Sequence, residues 1–99
     1  MSEITITRFA NRGKLTKYIN IEAGNLTVGP IQPGWLSAQW QIESVSGTSY
    51  VRFKNLWKPD KYLHIEGGIP AAGPIEPSWL SAHWQFEAVP GTAFVRIRN

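Results

Sequence analysis

The sequence predicts an all-β protein built from two tandem units of about 44 residues. Three observations carry this. Arg8 to Val51 lies over Arg52 to Val95 without a gap, with about 24 of 44 positions identical. Apolar residues alternate with polar ones at a period of two, the pattern of strands with one buried face. Seven prolines and nine glycines punctuate the 99 residues and leave little room for a long helix.

Taken in order, the elements of a unit follow from that alternation. In YVRFKN, Val51 and Phe53 alternate with Arg52 and Lys54. In KYLHIE, Leu63 and Ile65 alternate with Tyr62, His64 and Glu66. A Pro/Gly-rich segment follows, GPIQPGWLSA in the first copy and GPIEPSWLSA in the second, expected outside regular strands. The closing strand is AQWQIE or AHWQFE, in which Trp84 and Phe86 alternate with Gln85 and Glu87. Gly47-Thr48 and Gly91-Thr92 read as tight turns. Folding back there sets Glu43 opposite Arg52, Glu87 opposite Arg96, Gln41 opposite Lys54 and Ile42 opposite Phe53. Such opposite-charge pairs contribute about 0.2–1 kcal/mol each. Arg8 has no preceding strand to supply its glutamate, so the first strand is expected to be an edge or to pair with another chain. Arg96-Ile97-Arg98-Asn99 repeats Arg52-Phe53-Lys54-Asn55. The expected organisation is therefore one domain over 1–99: repeat 1 at 8–51, repeat 2 at 52–95, and the first strand of a third at 96–99.

Composition narrows the function classes. A chain this short buries a modest fraction of its surface, so each unit needs its neighbour for a core. There is no cysteine, which excludes a disulfide framework and a Cys-based zinc site. MSEITITRF lacks the series of charged leader, apolar stretch and cleavage site that marks a secretory signal. No apolar run approaches membrane-spanning length. A cytoplasmic or non-classically released protein is expected, without membrane insertion. Net charge is +3. The ten basic residues all fall in the first part of a repeat, and the acids mostly come later, as cross-strand charge pairing requires. An anion-binding stripe is the competing reading.

The four-strand unit ending in Gln/His-Trp-Gln-hydrophobic-Glu resembles the repeat of β-trefoil proteins. AQWQIE and AHWQFE resemble the Trp-containing strand of ricin-type lectin repeats. RFANRGKLTKYINIE and RFKNLWKPDKYLHIE resemble the opening hairpin, strand and loop of ricin-type and fascin-like trefoils. The resemblance implies three such units, where this sequence has two and a fraction. Units from different chains would then complete each trefoil, for example a trimer building two. Closure as a two-fold barrel or sandwich, or derivation from a longer array, are the alternatives. The resemblance also implies a carbohydrate-binding function.

No catalytic constellation emerges from the residues. His64 and His83 occupy different repeat positions, held by Asn20 and Gln39 in the first copy. Glu22 and Glu66 are equivalent, so they serve two copies of one binding site, or pair with Lys17 and Lys61, rather than forming a glycosidase pair. Two unclustered histidines make no metal site, and no cofactor is expected.

The aromatic residues are the strongest functional clue. Trp40 and Trp84 sit in alternating strands and are assigned to the core. Trp35 and Trp79 sit in the Pro/Gly-rich segment, where a tryptophan can offer a flat apolar face to a sugar ring or cap the barrel. Trp57 has no counterpart; Gly13 holds its place. The outward face of the second strand offers Tyr18, Asn20 and Glu22, then Tyr62, His64 and Glu66. Many trefoil lectins use an aspartate to bind two sugar hydroxyls, and the resemblance implies that role for Asp60, although Thr16 replaces it in the first copy and Lys58-Pro59-Asp60 also reads as a plain turn.

The expected function is multivalent carbohydrate binding, one shallow site per repeat, with glycans and further copies of the chain as partners. Repetition raises avidity without new contacts. The alternative is a structural or protein-interaction module, natural or engineered, that binds no sugar. Nucleic-acid or sulfated-polymer binding is allowed by a sequence pI near 9.5, but the predicted Glu–Arg pairs neutralise part of the basic stripe, and nucleic acid is not expected.

Overall fold

In a computed structural model, which describes residues 4–99, the period-two segments become short antiparallel strands. The first repeat holds β1 (Thr5–Thr7), β2 (Tyr18–Asn20), β3 (Thr27–Gly29) and β4 (Trp40–Ser44). The second holds β5 (Val51–Asn55), β6 (Tyr62–His64), β7 (Ala71–Gly73) and β8 (Gln85–Ala88), and β9 (Val95–Arg98) follows. Each Trp-Leu-Ser-Ala stretch forms a single 3-10 turn, Leu36–Ala38 and Leu80–Ala82, just before the Trp-containing strand. The chain is all-β as its alternation requires, and no helix among the described residues is long and apolar enough to cross a membrane.

One ladder runs β1-β4-β5-β6-β7; β2-β3 and β8-β9 are separate pairs. A bridge between Val51 and Trp84 joins β8 to the far side of β5. The strands β1, β4, β5, β8 and β9 thus follow one another around the molecule, and among the described residues β1 and β9 are not paired with each other. The hairpins β2-β3 and β6-β7 attach through equivalent contacts, Ala10 to Tyr18 and Lys54 to Tyr62. A closed two-fold barrel is therefore not what these residues form.

The turn-derived register holds. Gln41, Ile42 and Glu43 face Lys54, Phe53 and Arg52. Glu87 faces Arg96. Gly47 and Gly91 have φ of 77° and 78°, the left-handed region where a Cβ is strained, so the glycines fix both turns. The ion pairs are only partly as expected. Glu87 reaches both Arg96 (3.4 Å) and Arg98 (3.2 Å). Glu43 instead reaches diagonally to Lys54 (3.3 Å), while Arg52 donates to the Pro77 carbonyl (3.0 Å). A long lysine spans the diagonal of a twisted pair, and the guanidinium has a carbonyl to satisfy it elsewhere. The expected edge at Arg8 is also displaced. The first strand is Thr5–Thr7, which pairs with β4, and Arg8 and Phe9 lie beyond it with no ladder of their own.

The core joins the repeats. Ile21, Trp40, Phe53, Leu63 and Trp84 are buried together. Phe53 is fully buried and meets Phe9 edge-on at 4.8 Å and Phe86 at 5.7 Å. Trp40 and Trp84 are core residues, and each indole N–H donates to a backbone carbonyl, Ile19 (3.3 Å) and Leu63 (2.9 Å). That satisfies the one polar atom each ring carries inside.

Candidate functional site

The second repeat gathers polar and aromatic groups on the outer face of β6. Leu63 points into the core, so Tyr62 and His64, one residue either side, project the other way. His64 Nδ1 accepts the Glu66 backbone N–H at 3.1 Å. That bond fixes the ring and leaves Nε2 as the outward nitrogen. A Cβ on Gly73 would stand 3.5 Å from His64 Nε2, in ordinary van der Waals contact with the ring. Trp79, half-buried at the start of the 3-10 turn, meets the imidazole edge-on at 5.6 Å. The same turn carries Ser81, whose hydroxyl donates to Glu66 Oε1 at 2.5 Å. A hydroxyl-to-carboxylate bond this short is charge-assisted. It holds the exposed Glu66 in place and leaves its second oxygen for another donor.

The first repeat reproduces half of this. Ser37 donates to Glu22 Oε1 at 2.6 Å, and Trp35 opens the equivalent turn, half-buried. The carboxylates thus pair with serines and not with Lys17 or Lys61. Asn20 differs from the expected outward position: it is 4 % exposed. Its side chain donates to the Tyr18 carbonyl and accepts from the Glu22 backbone N–H and the Thr27 hydroxyl. Asparagine mimics a backbone turn here, as His64 Nδ1 does in the second copy, but it has no ring to extend outward. Tyr18 is half-buried on β2 opposite Gly29.

A second feature adjoins the β6 cluster. Tyr62, Arg52, Ile75 and Pro77 line a cleft of about 170 Å³. The Tyr62 hydroxyl donates to Glu43 Oε1 at 3.3 Å. Burial, then the negative Glu43 carboxylate, raises the phenol above its ordinary value of 10.0. Arg52 also faces His83 Nε2 at 3.4 Å. Burial, then the Arg52 charge, holds that imidazole below its ordinary 6.5, so at neutral pH the nitrogen is free to accept. The Arg52 Nε–H is buried with no acceptor among the described residues. In the first repeat Arg8 makes the matching bond to Pro33 (2.8 Å).

Trp57 and Asp60 stand apart from both features. Trp57 is exposed with the Lys58 ammonium over its ring at 4.7 Å. Asp60 is exposed in the turn closed by Lys61 N–H to Lys58 C=O, at 2.8 Å. No contact among the described residues ties either to Trp79. Reading the sequence missed Ser37, Ser81, Arg52, His83 and Glu43 as parts of these clusters. The two serines carry one signal that was available: they are identical in both copies and sit 15 residues after the glutamates they bind. Among the described residues no group of three or more His, Cys, Asp or Glu could hold a metal ion.

No family model matches this chain, and no curated protein is matched. Among solved structures it is similar to the GlcNAcα1-4Gal releasing endo-β-galactosidase from Clostridium perfringens, with a TM-score of 0.72 and 33% identity over 81% of this chain. The chain spans 20% of the length of that protein.

Proposed function

We propose that this chain is a multivalent carbohydrate-binding module, not an enzyme, with one shallow site per repeat. The observation that carries the reading is the twice-built turn that a tryptophan opens and whose serine anchors a glutamate, Trp35 with Ser37 on Glu22, Trp79 with Ser81 on Glu66. A half-buried indole offers an apolar face to a pyranose ring, and a fixed carboxylate accepts from its hydroxyls. In the second repeat His64 Nε2 adds a polar contact beside the indole. The likeness to part of a carbohydrate-acting enzyme supports the same ligand class. Spanning a fifth of that protein, the likeness fits an accessory binding unit better than the catalytic part.

The test is a glycan-array screen at about 0.3 M salt, where the screening length falls well below 10 Å and charge-driven binding is suppressed. Neutral glycans ending in galactose or N-acetylglucosamine come first, because the similar enzyme's name carries both sugars. Selective binding to a few related glycans is expected. Trp79→Ala should weaken it about tenfold, the loss of a contact worth about 1.4 kcal/mol, with the far-UV spectrum unchanged. A blank array would overturn the reading.

A further inference from the structure

Residues 44 positions apart occupy equivalent places in this fold, so each repeat serves as a control for the other. Phe53 has a Trp-containing strand on either side, β4 in full register and β8 through the Val51 bridge, and is fully buried. Its equivalents Phe9 and Ile97 each lack one of the two strands and are only half-buried. Ile42 and Val51 are half-buried, but their equivalents Phe86 and Val95 are 46 % and 56 % exposed. The exposed and half-covered positions converge on one place. A groove of about 400 Å³ runs between the open end at β1 and the open end at β9. Residues 7–11 form one wall, Ala93, Phe94, Val95 and Ile97 the other, with Ile19 and Phe86 between.

The ladders state what belongs there. Glu43 stands opposite Arg52 and Glu87 opposite Arg96, with Ile42 on Phe53 and Phe86 on Ile97. The matching partners of Arg8 and Phe9 would be a glutamate and a large apolar residue, one position apart on a strand antiparallel to residues 7–11. Among the described residues no strand supplies them. The surface area agrees. A monomer of 11.1 kDa is expected to expose about 5700 Å², and this chain exposes 6486 Å². The surplus is on the order of several hundred Å², comparable to one partner's share of a standard interface, about 800 Å².

We propose that this groove is filled in trans by a Trp-Gln-hydrophobic-Glu strand from another copy of this chain. The strand adds to both open edges, a β-augmentation in which backbone pairing gives affinity and alternate side chains give register. β4 and β8 have the required pattern, so an assembly of these 99 residues brings two such strands per copy to three places, β1-β4-β5, β5-β8-β9 and the open gap between β9 and β1. Full closure therefore calls for three chains around two closed bodies, by exchange of a unit between copies. The inference does not depend on the carbohydrate reading, since the groove and the β6 face use different residues.

The test is the solution mass of the full chain by light scattering from about 5 to 200 µM, repeated on Val95→Lys and Arg8→Glu. Both positions are exposed, so the variants should keep the far-UV spectrum of the folded chain. The expected mass is three chains, with the association midpoint raised at least about tenfold in each variant. A synthetic peptide SAHWQFEA, the sequence of residues 81–88, should compete for the groove and dissociate the assembly; its Glu→Lys form should not. A single-chain mass at every concentration would overturn the proposal, even with peptide bound, because the strand would then not come from a second copy. So would a two-chain mass, or an assembly that both variants leave intact.

Discussion

At the residue scale the duplicated sequence places chemically identical side chains in different surroundings, and the surroundings decide what each one does. Phe53 is the clearest core case. Buried by strands on both sides, it should cost about 3–5 kcal/mol when changed to alanine, read from denaturant unfolding. The same change at the exposed Phe86 should cost far less. His83 gives a pH dependence with a definite sign. Its folded value lies below the ordinary 6.5 because burial and Arg52 disfavour the imidazolium. As pH falls below about 6.5 the unfolded chain takes up the proton first, so stability declines from there down to the lower folded value and then levels. His83→Gln, the residue the first repeat carries at Gln39, should flatten that segment of the profile in a melting-temperature series. The Trp40 and Trp84 assignments were legible because alternation alone puts them inward. The burial of Asn20 was not, because the sequence pattern gives the side to which a strand residue points but not the hydrogen bonds that draw a short amide into a turn.

At the element scale the turn chemistry was the most informative part of the sequence. Placing the chain reversal at Gly47-Thr48 and Gly91-Thr92 gave the β4-β5 and β8-β9 register residue for residue. It did not give the ion pairs, since side chains several bonds long choose between facing and diagonal partners after the backbone is set. The loop after β5 shows how strongly context changes one residue's role. Asn55 is fully buried; its amide donates to the Ser37 carbonyl, and its oxygen accepts from the Trp57 and Lys58 backbone N–H groups. Asn11, its equivalent, is exposed, and among the described residues its side chain accepts only from the Lys14 backbone N–H. Asn55→Ala should therefore destabilise by about 1–3 kcal/mol, because a buried carbonyl and two loop donors lose their partner. Asn11→Ala should stay within about 0.5 kcal/mol. Chemical unfolding of the two variants beside the parent checks both values.

At the scale of the whole molecule the repeat makes a scaffold that presents one loop geometry twice. Each Trp-Leu-Ser-Ala turn is tied through its serine to the glutamate just past β2 or β6, so the turn that carries the indole is anchored in the same way wherever the unit recurs. The sequence showed the tryptophans and glutamates as candidates. It could not show that the serines tie them together, because that contact joins residues 15 apart across a hairpin. It also could not show that Trp57 and Asp60 stand apart from Trp79. A sugar site at each loop tryptophan can be read from the five indole N–H signals in a ¹⁵N-correlated spectrum during titration with the best array glycan. Signals would be assigned from single Trp→Phe variants. The Trp35 and Trp79 indoles are expected to shift along saturation curves, while the core indoles of Trp40 and Trp84 stay fixed. Saturable binding that moves neither Trp35 nor Trp79 would contradict it.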